Sequence, residues 1–126
     1  MIENILDASA ILAVLQNETG KEKVALILEK SAVSRVNVTE VLTKLVEKGM
    51  SVDEAKQAFD DLELKIIEFD ENQSLKAAEL RPLTKHLGLS LGDRCCVALA
   101  MLENATAVTA DKNWASLNVC QIELIR

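Results

Sequence analysis

Strands alternating with helices along the chain predict an α/β sandwich with a mainly parallel sheet, because parallel neighbours need crossovers that helices supply. Two further observations agree. Of the 126 residues 49% are hydrophobic, which suits one globular domain over residues 1–126 with a single core. There is no internal repeat, low-complexity tract or linker, and the single proline and four glycines are scattered. Right-handed crossovers would then cover both faces of the sheet.

Residues 2–6 (IENIL) form a short apolar strand that stops at Asp7. The segment that follows, ASAILAVLQNE, repeats its apolar positions at helical spacing. After Gly20 as a turn, KEKVALILEK predicts a second helix, and AVSRV at 32–36 a second strand rich in β-branched residues. Helix resumes at once, with Asn37 as a good N-cap, Glu40 three positions later, and Val38, Val41, Leu42, Leu45 and Val46 as its apolar stripe to Gly49. Ser51 with Glu54 opens another capped helix to about residue 62, and LKIIEF at 64–69 alternates like a third strand. Residues 73–86 are again helical, with Pro82 expected to break or kink them. Ser90 to Asp93 is a capped start for RCCVALAMLEN, a helix buried on most sides. ATAVT at 105–109 is strand-like, 111–116 a loop or short helix, and NVCQIELI the last strand.

No stretch approaches the roughly 20 apolar residues of a membrane span, and Glu3 and Asp7 stand where a secretory signal is basic and then apolar. A soluble cytoplasmic protein is expected. Three cysteines are an odd count, and Cys95 and Cys96 are adjacent in an apolar helical run, so they read as reduced residues in or near the core. The net charge of −6 argues at first against a nucleic-acid partner. Its distribution weakens that objection: residues 53–71 hold eight acids and two bases, and the remaining 12 acids and 12 bases cancel. The plainer explanation of that run is a solvated acidic face.

Asp7, Glu40 and Asp111 stand just past the ends of expected strands or open the next helix. Ligand sites in parallel α/β sheets form there, outside the carboxyl ends of the strands. Asp93 joins them if its helix N-terminus lies over that edge. Taken singly, each acid is sufficiently explained as a helix cap or turn residue. Taken jointly, four carboxylates in one pocket repel by roughly 4 kcal/mol per close pair at an effective dielectric of about 20, a repulsion that a cation relieves. Clustered carboxylates without a His or Cys set favour hard ions such as Mg²⁺ or Mn²⁺ over zinc. The lone His86 reads as a surface or satisfied-core residue. Such ions activate water and stabilise charge developing on a phosphodiester.

LDASAILAVLQNE, SRVNVTEVLTKL, GLSLGDRCCVALAMLEN and AVTADKNW together resemble the successive motifs of PIN-domain ribonucleases, and NVTEV and LSLGDR are closest to the VapC-like toxins of bacterial toxin–antitoxin pairs. The resemblance implies a three-layer α/β/α sandwich with a five-stranded sheet in the order 3-2-1-4-5. It assigns Asp7, Glu40, Asp93 and Asp111 to a Mg²⁺ or Mn²⁺ site, with Ser9, Thr109 and Asn113 as polar support and Arg94 meeting either substrate phosphate or a surface ion pair. It also implies hydrolysis of structured RNA by a homodimer controlled by a cognate antitoxin. Leu12, Leu15, Val41 and Leu45 would be partner contacts if exposed and core if not.

Rival readings fail on particular residues. A haloacid-dehalogenase phosphatase needs a second Asp where Ser9 stands, a receiver domain needs an acidic pair after the first strand and a phosphoacceptor Asp that residues 35–37 lack, and a dinucleotide-binding domain needs an absent GxGxxG turn. The alternative that survives is a catalytically inactive PIN-like module that binds protein or RNA. Two Phe, one Trp and no Tyr offer few platforms for base stacking.

Overall fold

Adjacent side chains of a strand point to opposite faces, so the apolar pair Ile5 and Leu6 requires cover on both sides of the sheet. The computed structural model, describing residues 1–126, supplies it. Strand β1 (Asn4–Leu6) lies at the centre of a five-stranded sheet with β2 (Ser31–Ser34), β3 (Lys65–Ile67), β4 (Thr106–Thr109) and β5 (Ile122–Leu124), in the order β3-β2-β1-β4-β5. Every pairing is parallel. The order is the one the resemblance implied, and the expected "mainly parallel" sheet is parallel throughout.

The helices are α1 (Ala8–Leu15), α2 (Lys21–Ile27), α3 (Arg35–Glu47), α4 (Val52–Asp60), α5 (Glu71–Thr84) and α6 (Leu91–Glu103), with 3₁₀ turns at Leu28–Lys30, Lys85–Leu87 and Lys112–Ser116. Leu6, Val33 and Val108 point to one face and pack with Ile11, Val24, Val41, Leu45 and Phe59 of α1 to α4. Ile5, Ala32 and Ala107 point to the other and pack with Leu80 of α5, Leu99 of α6 and the fully buried Trp114. Leu12, Val41 and Leu45 are therefore core, and Leu15 is partly buried against them. Gly20 opens α2 with φ of +100°, and a Cβ there would lie 2.6 Å from the Ile125 carbonyl oxygen. Glycine thus lets the end of the chain pass close over this turn. No helix is long and apolar enough to cross a membrane. The three cysteines are free, Cys95 and Cys96 being buried on α6.

Three expectations are corrected. Asn37 is not the N-cap of α3: β2 stops at Ser34, paired with Ile67 at the end of the three-residue β3, and the Ser34 hydroxyl caps the helix by accepting from Val36 N at 3.3 Å. The residues 35–36 read as strand are the first of the helix, because no strand partner extends beyond Ile67. Pro82 does not break α5, which continues to Thr84. Proline removes the donor that the Ala78 carbonyl would use, at a position where Ala78 and Pro82 are both exposed and solvent can take its place.

Candidate functional site

The carboxyl ends of β1 and β4 lie side by side because Leu6 pairs with Val108. Asp7 follows directly, its N–H donating to the Val108 carbonyl at 3.0 Å, in an extended conformation that caps α1. Its Oδ1 accepts from Ala10 N at 2.9 Å and from the Ser9 hydroxyl at 2.7 Å, and its Oδ2 accepts from the Thr109 hydroxyl at 2.5 Å. The same two hydroxyls reach onward: Ser9 Oγ accepts from Ala110 N and Thr109 Oγ1 from Asp111 N, at 2.9 and 3.0 Å. Ser9 and Thr109 thus hold both oxygens of Asp7. Asp7 is 4% exposed. Its carboxyl is pushed up to about 6, chiefly by burial and slightly by the charge of Asp93, against the three hydrogen bonds that pull it down.

Asp93 stands in the first turn of α6, where a negative charge is favoured by the helix dipole. It forms a capping box with Ser90, its Oδ2 accepting from Ser90 N at 2.9 Å. Asp111 caps the Lys112–Ser116 turn through Oδ1, which accepts from Asn113 N at 2.9 Å. Glu40 lies one turn and a half into α3 and has no capping role. Its Oε1 accepts instead from Asn37 Nδ2 at 2.6 Å. Burial raises the Glu40 carboxyl above its usual range, Asn37 lowers it, Asp93 raises it and Lys44 lowers it.

These four carboxylates, each carried by a different element, line one pocket of about 250 Å³ together with Ser9, Lys44, Ala8 and Leu12. Larger cavities of about 440 and 410 Å³ hold one carboxylate each, Glu123 and Glu3, so the acids concentrate at the smaller site. Capping and clustering coexist here. Asp93, Asp111 and Glu40 each use one oxygen in a protein hydrogen bond and leave the other, Oδ1, Oδ2 and Oε2 respectively, without a protein donor. No three acids, histidines or cysteines come together tightly enough to clasp a bare ion. Single free oxygens spaced around a polar pocket match instead the habit of a small hard ion that keeps several of its waters.

Not every expected residue reaches the pocket. Asn113 is exposed and contributes its backbone N–H to Asp111. Arg94 does not line the pocket and makes no ion pair: its Nη1 donates to the Ala77 carbonyl at 2.9 Å, tying α6 to α5. His86 is exposed in the turn after α5. Lys44, the one base lining the pocket, was missed, although its spacing of four from Glu40 on a helix was a usable signal. Gly92 was missed as well, and a glycine inside a helix is a signal of close approach. A Cβ there would overlap the Glu40 carboxyl group.

Residues 5–119 match the family model of the PIN domain. A search of curated proteins gives no significant match. Among solved structures, the fold is similar to a chain of DNA-bound VapBC from Salmonella typhimurium, at 16% identity, a TM-score of 0.80 and 100% coverage of both chains. VapBC2 from Rickettsia felis bound to a promoter DNA fragment gives 21% identity and a TM-score of 0.76, with 98% of each chain covered. A toxin–antitoxin complex from Klebsiella pneumoniae gives 16% identity and 0.75, again with 98% of each covered. With the family model spanning all but the ends of the sequence, and the sheet order and acidic strand-end pocket both in place, this chain belongs to the PIN-domain family.

Proposed function

We propose that the chain, acting as a single PIN domain over residues 1–126, is a divalent-metal-dependent endoribonuclease that hydrolyses phosphodiester bonds of structured RNA, and the toxin of a toxin–antitoxin pair. The observation that carries this reading is the pocket itself. Four carboxylates from four elements face one another with a single lysine among them, and one of the four, Glu40, has no capping role to account for its place. The resemblance of the fold to VapBC and to a toxin–antitoxin complex supports the toxin role and a cognate antitoxin as partner; a homodimer acting in the cytoplasm is part of the same proposal.

Asp7, Glu40, Asp93 and Asp111 would hold Mg²⁺ or Mn²⁺. When bound there, such an ion supplies an activated water and charge stabilisation for in-line displacement at phosphorus. Ser9 and Thr109 keep Asp7 in one orientation through its two oxygens. Lys44, exposed at the rim, is placed to meet a substrate phosphate. With only two Phe, one Trp and no Tyr in the chain, recognition rests on RNA shape and backbone more than on stacked bases.

The test is calorimetric titration with Mn²⁺ of wild type and Asp7→Asn, with the fold followed by circular dichroism. Binding by wild type that disappears in a folded variant is the expected result. Equal binding by both, or none by either, would leave Asp7, Asp93 and Asp111 as caps and favour the inactive binding module.

A further inference from the structure

Asp7, Asp93 and Asp111 are each held by a backbone N–H at the start of a helix or turn. Glu40 sits inside a helix, where no backbone N–H is free, and its long side chain would sample many rotamers unless something else held it. Asn37, one turn earlier and 1% exposed, does so. Its Nδ2 donates both to Glu40 Oε1 at 2.6 Å and to the Gly92 carbonyl of α6 at 3.1 Å. Both partners only accept, so the reversed amide would set its oxygen against two oxygens. The orientation holds even though it leaves Oδ1 buried without a donor, an arrangement that is destabilising by itself. At the same contact, α6 comes so close that only a glycine at position 92 leaves room for the Glu40 carboxyl group.

We propose that Asn37 and Gly92 form a seat that positions Glu40, the amide holding Oε1 at the contact between α3 and α6 while the missing Cβ makes room for the carboxyl group, whose Oε2 has no protein donor, at the pocket it lines with Asp93. Both are positioning residues. The proposal rests on the reading of the pocket as a divalent-metal site, since a carboxylate needs so defined an orientation only if its free oxygen has a fixed partner.

Gly92→Ala separates the seat from the fold. Alanine is the better helix former, and the obstacle it meets is the far end of a flexible side chain, so the protein should fold with Glu40 displaced. Calorimetry with Mn²⁺ on wild type, Gly92→Ala, Asn37→Ala, Glu40→Gln and the Gly92→Ala/Glu40→Gln double variant tests the proposal. Each single substitution in the seat should weaken Mn²⁺ binding roughly 10- to 100-fold, the range for groups that orient a ligand. The double variant should bind as Glu40→Gln alone. Should Asn37→Ala fail to fold, Gly92→Ala carries the test. Unchanged affinity in folded Gly92→Ala protein overturns the proposal alone, as does a loss of the same size in the Glu40→Gln background, which would mark a general disturbance of α6. A wild-type protein that binds no Mn²⁺ overturns the metal reading, and the seat's purpose with it.

Discussion

Residues 53–71 hold eight acids and the pocket at the carboxyl end of β1 holds four, yet the two regions stand in opposite electrostatic situations. In the acidic run the charges are all exposed to water, and most are also paired or capping. Glu68 takes two bonds from Arg35 at 3.0 and 2.6 Å, Asp60 pairs with Lys56 at 2.5 Å, and Glu54 and Asp70 cap the helices they open. The Arg35 guanidinium and the Ser51 N–H hold the Glu68 and Glu54 carboxyls below their usual range. In the pocket, burial pushes Asp7 and Glu40 above theirs, and only Lys44 offers a counter-charge. A site is therefore marked less by the density of acid along the chain than by acids withdrawn from water without enough partners.

The comparison is most exposed at catalysis. Asp7→Asn or Asp93→Asn should lower cleavage of a structured RNA by at least about 100-fold, beyond the effect of losing a merely supporting group, while Asp53→Asn leaves it unchanged. Equal losses in a gel-based assay would erase the distinction between the regions. Stability should move the other way. An Asp7 carboxyl raised from 3.8 to about 6 binds a proton in the folded state that the unfolded chain has released, so stability falls as pH rises between those values and stays low above them. Removing that buried charge in Asp7→Asn should therefore stabilise the metal-free protein at pH 7 by about 1–3 kcal/mol and flatten the slope, as read from denaturant midpoints across pH.

The same shift predicts a pH dependence for the metal. Below pH of about 6 a proton competes for Asp7, so the Mn²⁺ affinity of the wild type measured by calorimetry should fall by roughly tenfold per pH unit, and an affinity flat through that pH would remove Asp7 from the site. The smallest expected effect concerns the lone base. Lys44→Ala should raise KM for RNA roughly two- to fivefold with kcat little changed, as befits one exposed charge, and tighten Mn²⁺ binding slightly. Lys56→Ala, which removes a cation from the acidic run, should do neither. A kcat effect at Lys44 would move it from the rim into the reaction.

Much of this architecture was legible beforehand. The five strands and the helices between them followed from alternation and from periods of two and 3.6, and the strand-end positions of Asp7, Glu40 and Asp111 from the rule that sites open at the carboxyl edge of parallel strands. The boundary of α3 was misread because AVSRV is β-branched, although Ser34, the last paired residue, was as good a cap as Asn37. The sequence offers Arg94 no partner within a turn, and the one it finds, the Ala77 carbonyl, lies 17 residues away, a contact that no local pattern contains.

By itself the sequence determined the α/β class, the strand count and the cover of helices on both faces of the sheet, and it singled out four acids, because backbone periodicity and helix punctuation are written in neighbouring residues. Only the tertiary structure decided which of those acids is buried, which oxygens remain without a donor, and that Gly92 makes room for Glu40. Those properties depend on the dielectric around each carboxyl and on contacts between residues as far apart as Asp7 and Thr109 or Asn37 and Gly92, and both arise only when the sheet brings its carboxyl ends together.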